Sequence, residues 1–139
     1  MKKNVEVIEP SDYASCEKKA RVHTGIVLVF HPQCGHCVQM RPAWELMKKR
    51  VKPHVKILEV DGSGMSESPV LSRSVIGENT AGYPSVFSLK DGKFGENFRK
   101  ERTTENFVKF ANKAALRGKT KTVKRVKRVK RGKKLRRTI

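Results

Sequence analysis

The sequence lacks any long apolar run. The longest, Ile26 to Phe30, is far shorter than the roughly 20 apolar residues that a membrane-spanning helix needs. The first residues, Met1 to Glu6, hold no apolar stretch of the kind found in a secretory signal, and residues 136–139 are not an endoplasmic-reticulum retention signal. We therefore expect no membrane span, and we expect the protein to be made and retained in the cytoplasm.

Cysteine is scarce. The chain has three cysteines, which cannot all pair with one another, and structural disulfides are rare in the cytoplasm. This favours a functional dithiol over a structural cross-link. We expect Cys16, on a helical pattern, to be a small apolar core residue.

Acidic residues are absent from the last part of the chain. The segment from Leu116 to Ile139 contains 13 of the 32 Lys and Arg residues and none of the 13 Asp and Glu residues. Most of the net charge of +19 therefore lies there, and so much like charge prevents an unbound segment from collapsing. We predict one folded domain over residues 1–116 and a basic tail over residues 117–139 that is disordered unless it binds a partner.

The tail repeats the tripeptide Val-Lys-Arg three times between residues 123 and 131. Such a segment is typical of arms that bind a polyanion, either nucleic acid or an acidic protein surface. It has no aromatic residues to stack on bases, so nucleic-acid binding would be independent of sequence and sensitive to salt. A nuclear-localisation signal and a solubilising tail stay open as alternatives. The predicted polyanion-binding residues are Lys124, Arg125, Lys127, Arg128, Lys130 and Arg131.

Two cysteines, Cys34 and Cys37, stand two residues apart, directly after the apolar run and at the start of a helical pattern. Backbone N–H groups and the dipole at a helix N-terminus stabilise a thiolate, which is the form of cysteine that attacks disulfides. Cys34 is therefore the predicted nucleophile, and Cys37, one turn further, would resolve the mixed disulfide. His36 between them would add positive charge and a hydrogen-bond donor. This chemistry needs no cofactor beyond the Cys34–Cys37 dithiol.

A metal site is the alternative interpretation of these cysteines. A structural zinc ion needs four ligands, and the pair supplies two. None of the possible further ligands forms a second Cys-x-x-Cys motif, so we favour redox chemistry and assign no metal ligand. Those possible ligands are Cys16, His23, His31, His36 and His54.

The hydrophobic pattern predicts an α/β domain with the element order β-α-β-α-β-α-β-β-α. Ile26 to Phe30, a continuous run rich in β-branched residues, is typical of a central strand that is buried on both faces. Asp91-Gly92 indicates a hairpin turn between the last two strands. The early strands would be joined by parallel crossovers, and the chain would end in a hairpin followed by a helix.

This order of elements resembles that of the thioredoxin superfamily, and the resemblance covers roughly residues 4–116. Residues 30–37 are similar to the catalytic segment of the protein disulfide isomerase branch, with Gly35-His36 between the cysteines. Gly82-Tyr83-Pro84-Ser85 resembles the cis-proline segment of the family. Arg102 aligns with an arginine that can swing toward the active site in disulfide isomerases. All of these residues are read from the sequence.

The resemblance implies a thioredoxin fold, which is a central mixed β-sheet flanked by helices. It also implies thiol–disulfide exchange on protein thiols and disulfides, with Arg102 assisting the cysteines. Tyr83 and Pro84 would line the substrate groove. The chain departs from the family at Gln33, where a Trp is usual, and at Leu28, where a buried acid is usual. Because no carboxylate replaces that acid in the strand, we expect the proton of Cys37 to leave through water, His36 or Arg102, and the resolving step to be slow.

A second function is left open by the tail. Compact disulfide-isomerase-like proteins that lack a signal and carry a basic extension resemble proteins encoded by large DNA viruses, some of which are packaged in particles. The domain would then be a structural or adaptor component of an assembly such as a virion, for example a minor capsid protein. In that case the basic arm would tether it to the capsid, to nucleic acid or to another acidic partner, and it would reside in the virion or the nucleus.

Overall fold

A computed structural model describes residues 4–124 of the chain, with side chains described through residue 115. The described part contains five strands, five α-helices and two 3₁₀ turns. The strands are β1 (Val5–Ile8), β2 (Gly25–Phe30), β3 (Ile57–Asp61), β4 (Ser85–Lys90) and β5 (Lys93–Asn97). The helices are α1 (Tyr13–Ala20), α2 (Gly35–Arg50), α3 (Pro69–Ser72), α4 (Val75–Glu78) and α5 (Thr104–Lys124), and the 3₁₀ turns are Pro10–Asp12 and Gly62–Glu67.

The strands form one mixed sheet in the order β1-β3-β2-β4-β5. Strand β3 pairs in parallel with β1 and with β2, whereas β4 pairs antiparallel with β2 and with β5. Ile26 to Val29 are buried, as a central strand covered on both faces requires. The predicted fold class is therefore confirmed.

Alternate residues of β2 supply the two halves of the core. Val27 and Val29 face α1, α3 and α4, and Cys16 lies in that half without any exposed surface. On the opposite face, Ile26 and Leu28 pack against α2 and α5, where the rings of Trp44 and Phe107 meet edge to face at 5.1 Å. Helix α2, which begins at the predicted active site, thus lies beside α5 on this face of the sheet and packs against it.

The hairpin turn lies where the sequence predicted it. Asp91 and Gly92 both have positive φ, 50° and 80°, as the two central residues of a type I′ turn require. The sequence pattern predicts a returning strand from Lys93 to Arg99, and the structure has a shorter one, since β5 ends at Asn97. Phe98 still donates its N–H to Val86, but the chain then leaves the sheet and forms a loop before α5.

The segment between β3 and β4 differs from its prediction. The sequence indicated one short helix there, and the structure has two, α3 and α4. The reason is local capping, since Ser68 accepts the N–H of Leu71 and Ser74 accepts the N–H of Ile76, each at 3.2 Å. Each serine stabilises the start of its own helix, so the segment forms two short helices.

Helix α5 continues through residues 117–124, which the sequence assigned to the basic tail. Of the predicted polyanion-binding residues, Lys124 is the last residue of this helix, and the others lie outside the described residues. The boundary at residue 116 and the tail itself stay predictions.

Candidate active site

Cys34 lies between the end of β2 and the start of α2. The chain turns after Phe30, with the N–H of Cys34 donating to the carbonyl of His31 at 3.1 Å, and Cys34 becomes the N-cap of α2 in an extended conformation. Its Sγ accepts the N–H of Cys37 at 3.3 Å. The sulfur therefore meets the unpaired N–H groups and the positive end of the helix dipole, as the sequence predicted.

The pKa of the Cys34 thiol is lower than usual. The main cause is the hydrogen bond with the Cys37 side chain, which desolvation of the sulfur opposes. The backbone N–H groups of Cys37 and His36 and the positive charge of Arg102 lower the pKa further. Cys34 is also partly exposed, so its thiolate is both favoured and accessible to a substrate.

Cys37 has the opposite character. It is 7% exposed, and this burial, together with the neighbouring Cys34 sulfur, raises its pKa to about 11. The positive charge of Arg41, one helical turn further, acts in the other direction. Cys37 therefore stays a thiol at neutral pH, whereas Cys34 loses its proton more readily, which separates an attacking sulfur from a resolving one.

The cis-proline segment lies beside the cysteines. The peptide bond between Tyr83 and Pro84 is cis, and the carbonyl oxygen of Tyr83 accepts a hydrogen bond from the Cys34 thiol at 3.4 Å. The Tyr83 hydroxyl donates to the carbonyl of Gly62 at 3.0 Å, and its ring contacts that of His31 with 5.4 Å between centroids. These contacts fix Tyr83 and Pro84 next to the reactive sulfur.

His36, on α2, and Arg102, on the loop before α5, lie at the same groove. Both line an open groove of about 580 Å³ between α2 and the loop that precedes α5. Arg102 acts on Cys34 through its charge, whereas the contribution of His36 to the Cys34 pKa comes from its backbone N–H. The structure thus brings all four predicted catalytic residues into one neighbourhood.

Glu59 is the residue that sequence reasoning missed. It lies in β3 directly beside Leu28 of β2, and it is 2% exposed. Its carboxylate accepts hydrogen bonds from Trp44 at 2.8 Å, from Lys48 at 2.8 Å and from Arg41 at 3.0 Å. All three donors lie on α2, so a buried carboxylate holds the cysteine-bearing helix against the sheet.

The ionisation of Glu59 follows from these contacts. Burial opposes the charged form, but the hydrogen bonds and charges of Lys48, Trp44 and Arg41 outweigh it and lower the pKa of Glu59. A buried acid is therefore present on the strand next to Leu28, although not at position 28 itself. It is ionised, and its oxygens accept hydrogen bonds from the three α2 side chains. The detectable signal was a charged residue inside the apolar run Ile57-Leu58-Glu59-Val60.

Two other site types find no support in the described part of the chain. Among residues 4–115, no three His, Cys, Asp or Glu side chains are grouped so that they could hold a metal ion. No helix within residues 4–124 is both long and apolar enough to cross a membrane.

The chain is similar to several known proteins. The thioredoxin family model matches residues 5–113. Protein disulfide-isomerase A3 of Gallus gallus is 30% identical over 112 residues, 79% of this chain and 21% of the relative. A thioredoxin domain-containing protein of Theileria parva is 32% identical over 94 residues, 66% of this chain and 39% of the relative. The first two thioredoxin domains of Naumovozyma dairenensis Eps1p match with a TM-score of 0.62 and 23% identity, covering 84% of this chain and 43% of theirs.

The chain belongs to the thioredoxin family. Its relatives include protein disulfide isomerases, so the predicted resemblance to that branch is confirmed, and this family works through its own cysteines rather than an external cofactor. The chain spans between about a fifth and two fifths of the length of the two relatives described.

Proposed function

We propose that this domain catalyses thiol–disulfide exchange on proteins through the Cys34–Cys37 dithiol. The observation that carries the proposal is the split between the two sulfurs. Cys34 caps α2, accepts the N–H of Cys37 and has a lowered pKa, whereas Cys37 is buried with a pKa raised to about 11. Such a split is what a nucleophile and a resolving thiol require.

In the reducing direction the Cys34 thiolate attacks one sulfur of a substrate disulfide. A Cys34–substrate disulfide forms and the other substrate sulfur leaves as a thiolate. Cys37 then loses its proton and attacks the Cys34 sulfur, which releases the second substrate thiolate and leaves a Cys34–Cys37 disulfide. The substrate gains two electrons and the dithiol loses two, and the same steps reversed oxidise a substrate dithiol.

The proposal includes a place for the substrate chain. Tyr83 and Pro84 flank the reactive sulfur, and the Cys34 thiol already contacts the Tyr83 carbonyl at 3.4 Å. A substrate that approaches Cys34 therefore meets the backbone of the cis-proline segment. We assign Tyr83 and Pro84 to substrate binding and Arg102 to support of the Cys34 thiolate through its charge.

Reduction of insulin by dithiothreitol tests the enzyme. Wild-type protein should accelerate the appearance of turbidity, and Cys34→Ser should give only the rate of dithiothreitol alone, because serine supplies no thiolate. Cys16→Ala is the matched control, since it also removes one thiol, but from the core, where burial raises its pKa. Equal background rates for wild type and Cys34→Ser would remove the enzymatic function.

A second candidate function rests on the charge of the tail. The segment from Leu116 to Ile139 contains no acid, and a basic arm of this kind would tether the domain to nucleic acid, to an acidic protein surface or to an assembly such as a capsid. A structural role in a virion is supported only by analogy to basic extensions of viral proteins. Residence in the cytoplasm, the nucleus or a virion is likewise a proposal from the sequence.

The arm is tested with the full-length chain. The test variant carries glutamine at six positions, so the length is kept while six charges are lost. On heparin and on DNA it should elute at clearly lower salt than wild type, because fewer counterions are released on binding. Unchanged elution would end the proposal. The six positions are Lys124, Arg125, Lys127, Arg128, Lys130 and Arg131.

A further inference from the structure

The groove beside the cysteines has an apolar floor and a cationic rim. Met40, which is buried, and Phe98, which is half-buried, form the floor. Exposed polar and charged side chains form the rim on both sides. On α2 these are His36 and Gln39, and on the loop between β5 and α5 they are Arg99, Lys100, Glu101 and Arg102.

The rim cations have no acidic partner in the described part of the protein. Seven ion pairs occur there, and none of them uses Arg99, Lys100 or Arg102. Glu101 is the acid in this rim, and it takes no part in those pairs either. The three cations therefore present their charge to whatever enters the groove.

The charged surface continues away from the cysteines. A second depression of about 560 Å³ shares Phe98, Arg99 and Lys100 with the first and extends along α5 to the exposed Lys109. The acid in this second lining, Glu96, pairs with Lys113 at 3.0 Å. A chain lying in both depressions would thus pass His36, between the two cysteines, and then follow a line of cations from Arg102 to Lys109.

We propose that this groove selects disulfide substrates by acidic residues next to the disulfide. The proposal rests on the proposed exchange function and names its substrate class. A polypeptide is the occupant that fits best, because the groove is lined by His36, two residues from Cys34, and by Arg102, whose charge acts on Cys34, and the substrate is covalently attached to Cys34 during exchange. The apolar floor formed by Met40 and Phe98 suits an apolar side chain that stands between two acidic residues better than it suits a phosphate backbone.

Complementary charge mainly raises the rate of encounter and orients the bound chain. The acidic flank would lie along the Arg99–Arg102 loop while the disulfide reaches Cys34. The preference should therefore appear in kcat/KM, and it should weaken in high salt because the rim is exposed and screened.

Three peptides of equal length test this, each with one intramolecular disulfide and with acidic, neutral or basic residues beside it. With dithiothreitol returning the Cys34–Cys37 disulfide to the dithiol, wild-type protein should reduce the acidic peptide with a kcat/KM about tenfold above that of the basic peptide at low salt. The gap should narrow strongly at about 0.5 M salt. Equal kcat/KM values for the three peptides would overturn the proposal. Failure to reduce any peptide would instead remove the exchange function itself.

A charge-reversal variant of the groove provides the second test. The Arg99→Glu/Lys100→Glu variant should now prefer the basic peptide, and that gain also shows that the variant is folded. The control, Lys18→Glu/Arg73→Glu, makes the same change in net charge at exposed residues of α1 and of the turn after α3, on the opposite face of the sheet. It should keep the acidic preference.

Either of two outcomes of these experiments would contradict the proposal. One is an acidic preference that survives in Arg99→Glu/Lys100→Glu, because the groove would then play no part in selection. The other is a wild-type protein that shows no peptide preference but binds a short DNA oligonucleotide through Arg99 and Lys100, because the groove would then be a nucleic-acid site.

Discussion

Replacing Cys37 with serine should convert the enzyme into a trap for its substrate. Cys34 would keep its place at the N-terminus of α2 and would still attack, but no second thiol would release the product. The Cys34–substrate disulfide should therefore accumulate to nearly one adduct per protein, where wild type shows almost none. Intact-mass measurement after acid quenching of a reaction with a disulfide peptide would detect it.

The Cys34→Ser/Cys37→Ser variant controls for adducts at other sites, and it should form none. Cys16 adds no background, since it has no exposed surface. Adducts of equal yield in the double variant would show that the trapped sulfur is not Cys34, and the assignment of nucleophile and resolving thiol would be wrong.

Replacing Glu59 with alanine should cost about 3 kcal/mol of the free energy of unfolding. Breaking a buried charge pair typically costs more than breaking an exposed one, since it strands the partners in the interior. The expected loss is at the low end of the range for buried charge pairs, because the Arg41 and Lys48 side chains are 33% and 17% exposed and can turn toward water. Urea unfolding at neutral pH would measure it.

Glu45→Ala is the matched control for this loss. Glu45 binds the same two cations, Arg41 at 3.2 Å and Lys48 at 3.0 Å, but its side chain is 48% exposed. Its removal should cost less than about 1 kcal/mol. Equal losses in the two variants would mean that the burial of Glu59 contributes nothing.

The stabilisation by Glu59 also depends on pH. Its pKa in the folded protein lies below the ordinary value of 4.5, so the folded state favours the charged form. The contribution is complete above about pH 4.5 and is lost as the pH falls through the lower folded-state pKa. The gap in stability between wild type and Glu59→Ala should shrink over that range.

The parts of the fold that depend on local pattern were predictable from the sequence. The buried run from Ile26 to Phe30, the turn at Asp91-Gly92 and the helix that starts after Cys34 each carry their signal within a few residues. The cysteines were predictable for the same reason, because their reactivity derives from a helix N-terminus that the spacing itself indicates.

The role of Glu59 was not predictable in this way. It depends on β3 pairing beside β2 so that residue 59 falls next to Leu28, and on α2 crossing that face with Trp44, Lys48 and Arg41 turned inward. Strand register and helix placement of this kind are set by the whole core rather than by local sequence. The groove at Arg99 and Lys100 was missed similarly, because it exists only where β5 ends early.

The enclosed position of Cys16 has a consequence for how the protein handles oxidants. Because the sulfur of Cys16 is buried between α1 and the sheet, the native domain has one redox-active pair, Cys34 and Cys37. Cys16 cannot form a non-native disulfide with either of them. A disulfide between Cys16 and either of the other cysteines would have to begin with unfolding, so the packing that stabilises the core also prevents non-native pairing.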